Sequence, residues 1–149
     1  MEKELKKNHF CSAMAGVKLL HYVDVKNVVS QKPSGDGWNV ILKNNHYWSR
    51  IHFSKVKVGT DEEGESYRHT IEAHLPGKDA VAARDLMKLQ RGRYLVRVTD
   101  NNGVQWLVGD TTTALHLAVR DENEGEAVSE TAYILTFSGL TQWPQMILV

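Results

Sequence analysis

The sequence predicts a mainly β protein, an antiparallel sandwich or barrel flanked by a single α-helix. Three observations predict this class. Apolar and polar residues alternate with period two in many segments, which is typical of half-buried strands. Clusters of Gly, Pro, Asn and Asp separate these segments, as they do in hairpins. One stretch alone has the composition of a helix, so the strand–helix–strand order of a parallel sheet is missing. A chain of 149 residues fits one domain, residues 1–149.

The first third of the chain contains a polar start, strand segments and two turns. We expect residues 1–12, which are polar, to be a flexible N-terminal segment. Residues 16–29 are rich in β-branched side chains and predict one or two strands. Residues 30–37 include one proline and two glycines, a composition that indicates a loop. Residues 38–43 alternate and predict a strand, and residues 44–49 predict a turn that carries two aromatic rings.

Residues 50–59 alternate as a strand does, but their apolar side changes halfway. Ile51 and Phe53 share one face, whereas the two valines that follow share the other. A bend or one extra residue moves every later side chain to the opposite face, so we expect a bulge or a bend near Ser54. Residues 67–75 alternate most regularly of all and predict a half-buried strand.

A helix is predicted over residues 78–91, where strong helix formers place Leu86 and Leu89 on one side. A hairpin follows over residues 93–110. Its strands alternate on both sides of a turn, and the turn residues tolerate the positive φ that tight hairpins require. These hairpin-turn residues are Asp100, Asn101, Asn102 and Gly103.

A second long hairpin is predicted near the C-terminus. Residues 114–120 and 132–139 are its strands, and they bracket an acidic loop. The tail, residues 140–149, ends apolar. Because an exposed apolar end would be adhesive, we expect the tail to join a sheet edge or to contact a partner.

Charge and cysteine content restrict the class of protein. The chain has 18 basic and 18 acidic residues and no net charge, which argues against binding to nucleic acid and removes an electrostatic barrier to self-association. Cys11 is the only cysteine, so an internal disulfide is excluded. No apolar run has the length of a membrane span, and no signal peptide is recognisable. We therefore expect a cytoplasmic protein without a membrane partner.

The motifs that would mark an enzyme or a metal protein are missing from the sequence. There is no glycine-rich phosphate loop and no nucleophile elbow. His9 and Cys11 would share a face of a strand, but no further ligand is fixed near them. The acidic runs 61–65 and 121–126 lack the spacing of a calcium loop and favour solvated hairpin tips. We expect no catalytic residue, no cofactor and no metal. A hydrolase with an unusual site is the alternative that the sequence supports least, after a structural role and a ligand-binding domain.

Aromatic residues offer one candidate contact surface. Trp106 alternates with valines that belong to a core face, which favours an interior position. Tyr47 and Trp48 lie in a turn, and Trp143 lies in the tail, so these three form a possible contact surface. An exposed aromatic platform of this kind would bind a small ligand or a glycan, which is the alternative to a purely structural role.

About half of the chain resembles a known group of proteins. The segments "YRHTIEAHLPG", "RGRYLVRVTDNNGVQWLVGD" and "YILTFSGLTQWP", within residues 67–144, are similar to small prophage-encoded proteins of Bacteroides-type bacteria. The resemblance implies a non-enzymatic structural part of a phage tail or head–tail junction, present in the host cytoplasm and in the virion. The partners that it implies are further copies of the chain and other virion proteins. It does not distinguish among tube, terminator, baseplate and connector roles. The motif residues would have structural roles; they are Asp100, Asn102, Gly103, Gly109, Phe137, Gly139 and Pro144.

Overall fold

The computed structural model describes residues 16–76, 80–121 and 132–149. This part of the chain forms eleven strands, one α-helix and a 3₁₀ turn at Val25–Asn27. The helix α1 is Ala80–Leu89. The strands are β1 Val17–Asp24, β2 Val28–Ser34, β3 Gly37–Leu42, β4 Ser49–Ile51, β5 Lys55–Glu63, β6 Ser66–Pro76, β7 Arg93–Asp100, β8 Gln105–Val108, β9 Leu115–Asp121, β10 Ala132–Thr141 and β11 Met146–Ile147.

The strand pairings form one open series. β1 pairs with β7, which pairs with β9, and the ladder continues through β10, β6 and β5, with every pairing antiparallel. β4 pairs with β1, so β4 and β5 are the two ends of this series, and a short covalent connection joins them in the chain. The described residues therefore form a mainly antiparallel β fold with one helix, as predicted.

The bend expected near Ser54 is present and lies between β4 and β5. β4 ends at Ile51, β5 begins at Lys55, and the two strands pair with different neighbours. Ile51 on one side of the bend and Val56 and Val58 on the other all contact the same apolar core. The change of apolar face in the sequence therefore marks a bend, and the apolar side chains on both sides of the bend face the same core.

The main core is built from the inward side of each strand. Phe137 is fully buried and packs against the rings of Tyr22 and Tyr94, with ring centroids 6.1 Å and 5.9 Å away. Trp106 is also in this core, as its alternation predicted. The Tyr94 hydroxyl donates to the Leu89 carbonyl at 2.7 Å and anchors the end of α1. Burial, with smaller effects of Asp24 and Tyr22, raises the pKa of Tyr94 to about 12, so this donor stays neutral.

A second, smaller core lies on the outer side of β7 and β8. Leu95 and Leu107 point away from the main core and are fully buried. The β2–β3 hairpin covers them with Trp38 and Val40, and Met146 of β11 completes the cluster. As a result β7 is buried on both of its faces, which explains the dense apolar character of the hairpin that it forms with β8.

The sequence placed three element boundaries differently. Residues 30–37 are not all loop, because β2 continues to Ser34 and only a short turn at Gly35 and Asp36 separates it from β3. Proline is tolerated there since β2 pairs only with β3 and is an edge strand. The helix, Ala80–Leu89, ends two residues before the predicted end at residue 91, and residues 78–79 lie outside the described residues. The acidic run 61–65, which we expect to be a hairpin tip, is mostly strand, and the turn between β5 and β6 consists of two residues.

The apolar tail joins a sheet edge, as expected. Met146 and Ile147 pair with β8, and the Val149 amide donates to the Trp38 carbonyl at 2.7 Å. Gly37 permits this approach, since a Cβ at that position would lie 2.5 Å from the Ile147 carbonyl oxygen. The predictions for residues 1–12, for His9 and Cys11 and for the acidic loop at 122–131 lie outside the described residues.

Candidate functional site

The β7–β8 turn is a structural device built on Asp100. Its buried carboxylate accepts from the amides of Asn102 and Val104 through Oδ1, at 2.9 Å and 3.0 Å, and from Trp106 Nε1 through Oδ2 at 3.0 Å. Of the four turn residues, which all tolerate positive φ, Gly103 alone adopts it, with φ at 83°. This left-handed residue completes the turn and leads the chain into β8.

The three predicted aromatic contact residues have different environments. The Tyr47 side chain is 78% exposed. Trp48 is half-buried against the outer cluster, and the Arg97 guanidinium lies over its ring at 5.0 Å. Trp143 is 43% exposed, and its ring contacts Trp38 with centroids 5.3 Å apart. Trp48 is therefore not a free platform as expected, because it serves as packing for the outer cluster, whereas Tyr47 and Trp143 remain accessible.

One cleft is lined by two tryptophans. Its volume is about 160 Å³. The Asp110 carboxylate lies at the edge of the cleft and accepts hydrogen bonds from the Thr112 and Thr113 amides at 2.8 Å and 2.7 Å. These bonds fix residues 111–113, the threonine loop. Gln31 accepts from the Thr111 amide at 2.9 Å and holds the same loop from the opposite side. The lining residues are Gln31, Trp38, Asp110, Thr111, Thr112, Thr113, Gln142 and Trp143.

A larger cleft of about 400 Å³ lies on the other side of the threonine loop. Arg93 and His116, which pair across β7 and β9, contribute its ionisable groups. No Phe, Tyr or Trp side chain lines it. Consequently the larger cleft has cationic and hydroxyl groups without a stacking surface, whereas the stacking surface belongs to the smaller cleft.

A buried histidine network connects the tail to the sheet. His69 Nε2 lies 2.9 Å from the Trp143 carbonyl, which can only accept, so this nitrogen carries the hydrogen. His69 Nδ1 then accepts from the Thr60 hydroxyl at 2.9 Å, and Thr60 Oγ1 in turn accepts from Gln145 Nε2 at 2.6 Å. Burial lowers the pKa of His69, which keeps the ring neutral. The alternation of β6 predicted a buried His69, but its partners 72 or more residues away gave no local signal.

A cationic group lies on the outer side of β1 and β7. His21 pairs in register with Arg97 on β7 and with Arg50 on β4. Burial, followed by the charges of Arg97 and Arg50, lowers the pKa of His21. The imidazole is therefore held neutral between two guanidinium groups, an arrangement that only strand pairing could reveal.

The free edge of β5 is the longest unpaired strand edge in this structure. β5 is the last strand of the sheet order and pairs only with β6 among the described residues. It has nine residues, and its outward side chains are exposed. Backbone N–H and C=O groups along such an edge are able to form a ladder with a further strand. This edge is the strongest candidate for a protein–protein contact.

The described residues contain no group of three or more His, Cys, Asp or Glu side chains arranged to hold a metal ion. Within the same ranges, no helix is long and apolar enough to cross a membrane. The fold defines the class as a mainly antiparallel β domain with one helix, in which the described residues leave one edge of β5 open. Comparisons of the chain with protein-family models, with curated proteins and with solved structures gave no match.

Proposed function

We propose that this protein is a non-enzymatic structural subunit of a prophage-encoded particle, a tail or head–tail junction component that works by self-assembly. The observation that carries the proposal is the free edge of β5, a nine-residue strand that pairs only with β6 among the residues that the structure describes. The resemblance of residues 67–144 to prophage-encoded proteins adds the context of a virion. The partners are further copies of the chain and other virion proteins, in the host cytoplasm and in the particle.

An exposed strand edge presents backbone N–H and C=O groups that have no protein partner, and these groups are the physical basis of the proposed assembly. Proteins commonly protect such edges with proline, bulges, short strands or charged side chains, and of these devices β5 has the charged side chains. β5 has no proline, and its register with β6 runs unbroken from Lys55 to Glu63. A strand of this length that pairs with another copy gains hydrogen bonds worth about 0.5–1.5 kcal/mol each. The zero net charge of the chain leaves no overall repulsion to oppose the contact.

Light scattering after gel filtration, at increasing protein concentration, tests self-assembly. We expect the mass to rise above that of one chain as the concentration increases. A constant mass of 16.8 kDa at the highest attainable concentration would contradict self-assembly. The neighbouring genes test the virion context separately: sheath, tape-measure or portal genes beside this gene are expected, and a metabolic operon would contradict the proposal.

The tryptophan-lined cleft favours one second candidate, a small-ligand or glycan-binding domain. Trp38 and Trp143 provide stacking faces, and Gln31 and Gln142 provide amide groups of the kind that bind sugar hydroxyls. At about 160 Å³ the cleft has room for a single small unit and not for a long oligosaccharide. Titration with a set of monosaccharides, followed by tryptophan fluorescence, is expected to give saturable quenching that Trp143→Ala abolishes and Tyr47→Ala preserves. Equal responses of the two variants would exclude this cleft.

A further inference from the structure

The free edge of β5 carries a charge pattern that is complementary to its own reverse. Lys55 and Lys57 lie near the start of the strand, and Asp61 and Glu63 lie near its end. All four side chains are exposed and, by strand alternation, share the outward face. Gly59 stands at the midpoint between the basic and the acidic pair. A second β5 that runs in the opposite direction therefore brings acids to lysines at both ends.

We propose that two copies of this chain pair antiparallel through β5, about a two-fold axis at Gly59. In this register Lys55 lies opposite Glu63 of the partner subunit, and Lys57 lies opposite Asp61 of the partner subunit. The symmetry repeats both pairs, so each interface contains four cross-strand pairs of opposite charge. The inference rests on the proposed self-assembly and specifies the contact by which it occurs.

Other registers lose this complementarity. A slip by one residue would place outward side chains opposite inward ones, which the shared outer face of a continuous sheet does not allow. A slip by two residues leaves only one of the two lysines on each strand opposite an acid. A parallel arrangement places lysine beside lysine and acid beside acid, and like charges directly opposite are destabilising. The charges thus select one arrangement and oppose the others.

The local geometry at Gly59 suits a symmetry axis. A Cβ at this position would meet no atom closer than the Thr70 carbonyl oxygen at 3.9 Å, so the outer surface there is open. Gly59 presents no side chain to its own copy across the axis. Glu63 is already oriented by Arg68, whose Nε donates to its Oε1 at 2.9 Å, and this reduces the side-chain entropy lost when the carboxylate meets a lysine.

Charge-reversal variants test the arrangement by sedimentation velocity. Lys57→Glu alone places acids against Asp61 twice per interface, and Asp61→Lys alone places lysines against Lys57 twice. We expect each variant alone to dimerise at least about tenfold more weakly than the unmodified chain. An equimolar mixture of the two is expected to form a heterodimer at least about tenfold tighter than either homodimer, since both opposed pairs are again of opposite charge.

Two exposed residues of the β2–β3 hairpin supply the matched controls. Lys32→Glu and Asp36→Lys make the same charge changes away from β5 and are expected to leave dimerisation unchanged, and circular dichroism verifies that every variant folds. If the unmodified chain associates and both β5 variants associate equally well, the β5 register is wrong and self-assembly stands. If folded variants fail to recover association on mixing, the register is also wrong. If the unmodified chain stays monomeric throughout, both proposals fail.

Discussion

The turn carboxylate of Asp100 allows the sharpest stability prediction. It is fully buried and accepts three hydrogen bonds, two from backbone amides and one from the indole N–H of Trp106. The substitution Asp100→Asn preserves the size of the side chain and one oxygen. That oxygen can still accept from the two amides, but the new amide group then points a donor at the donor of Trp106.

The expected cost follows from these contacts. A hydrogen bond to a charged group contributes about 1.5–3 kcal/mol, whereas one to a neutral group contributes about 0.5–1.5 kcal/mol. Asp100→Asn loses the bond to Trp106 and weakens the two backbone bonds. We therefore expect the free energy of unfolding to fall by about 3 kcal/mol. In a background of Trp106→Phe, where no indole donor remains, the same substitution is expected to cost about 1.5 kcal/mol less.

Urea denaturation followed by far-ultraviolet circular dichroism measures all four members of this cycle. Asp36→Asn, at the exposed turn between β2 and β3, makes the same chemical change and is the control, with an expected effect below about 0.5 kcal/mol. A cost for Asp100→Asn as small as that of the control would refute the role of the carboxylate. An equal cost in both backgrounds would refute its coupling to Trp106.

Three further predictions test the core, the tail and the histidine network. Phe137→Ala is expected to lower the free energy of unfolding by about 3–5 kcal/mol in the same assay, since it empties the centre of the main core. Gly37→Ala is expected to cost about 1–3 kcal/mol and to increase proteolysis of the tail, whereas Gly59→Ala, which meets no atom closer than 3.9 Å, is expected to be tolerated. Because burial lowers the pKa of His69 below its unfolded value of about 6.5, its contribution to stability is complete above that pH and is lost as pH falls below it. Unfolding measured between about pH 7.5 and pH 5 is expected to show this loss, and His69→Gln is expected to make the profile flatter.

The sequence predicted the faces of the strands better than their partners. Alternation correctly placed Ile71 and Trp106 in the core, and the change of face near Ser54 located the bend between β4 and β5. These features are local, because one side of each strand must leave water whatever strand lies beside it. The boundary error at residues 30–37 has the same origin: composition indicates a turn, but an edge strand tolerates proline.

The strand order and the candidate site depend on contacts that no local pattern contains. The pairing of β4 with β1 joins residues about 30 positions apart, and His69 contacts Trp143 over 74 positions. Trp48 lies in the predicted turn, but its packing against the outer cluster and the position of Arg97 over its ring follow from strand pairing. The charge pattern of β5 is visible in the sequence, but only the fold shows that this edge has no further strand beside it among the described residues.

Hydrogen exchange along β5 at low and high protein concentration tests self-assembly through this edge most directly. In a single chain, we expect the amides of residues 55–63 that point away from β6 to exchange rapidly, because they have no ladder partner within the described part of the chain. We expect these amides to become protected as concentration rises, while the exchange of the buried strand β7 stays unchanged. Association of the protein with no added protection in β5 would contradict the account.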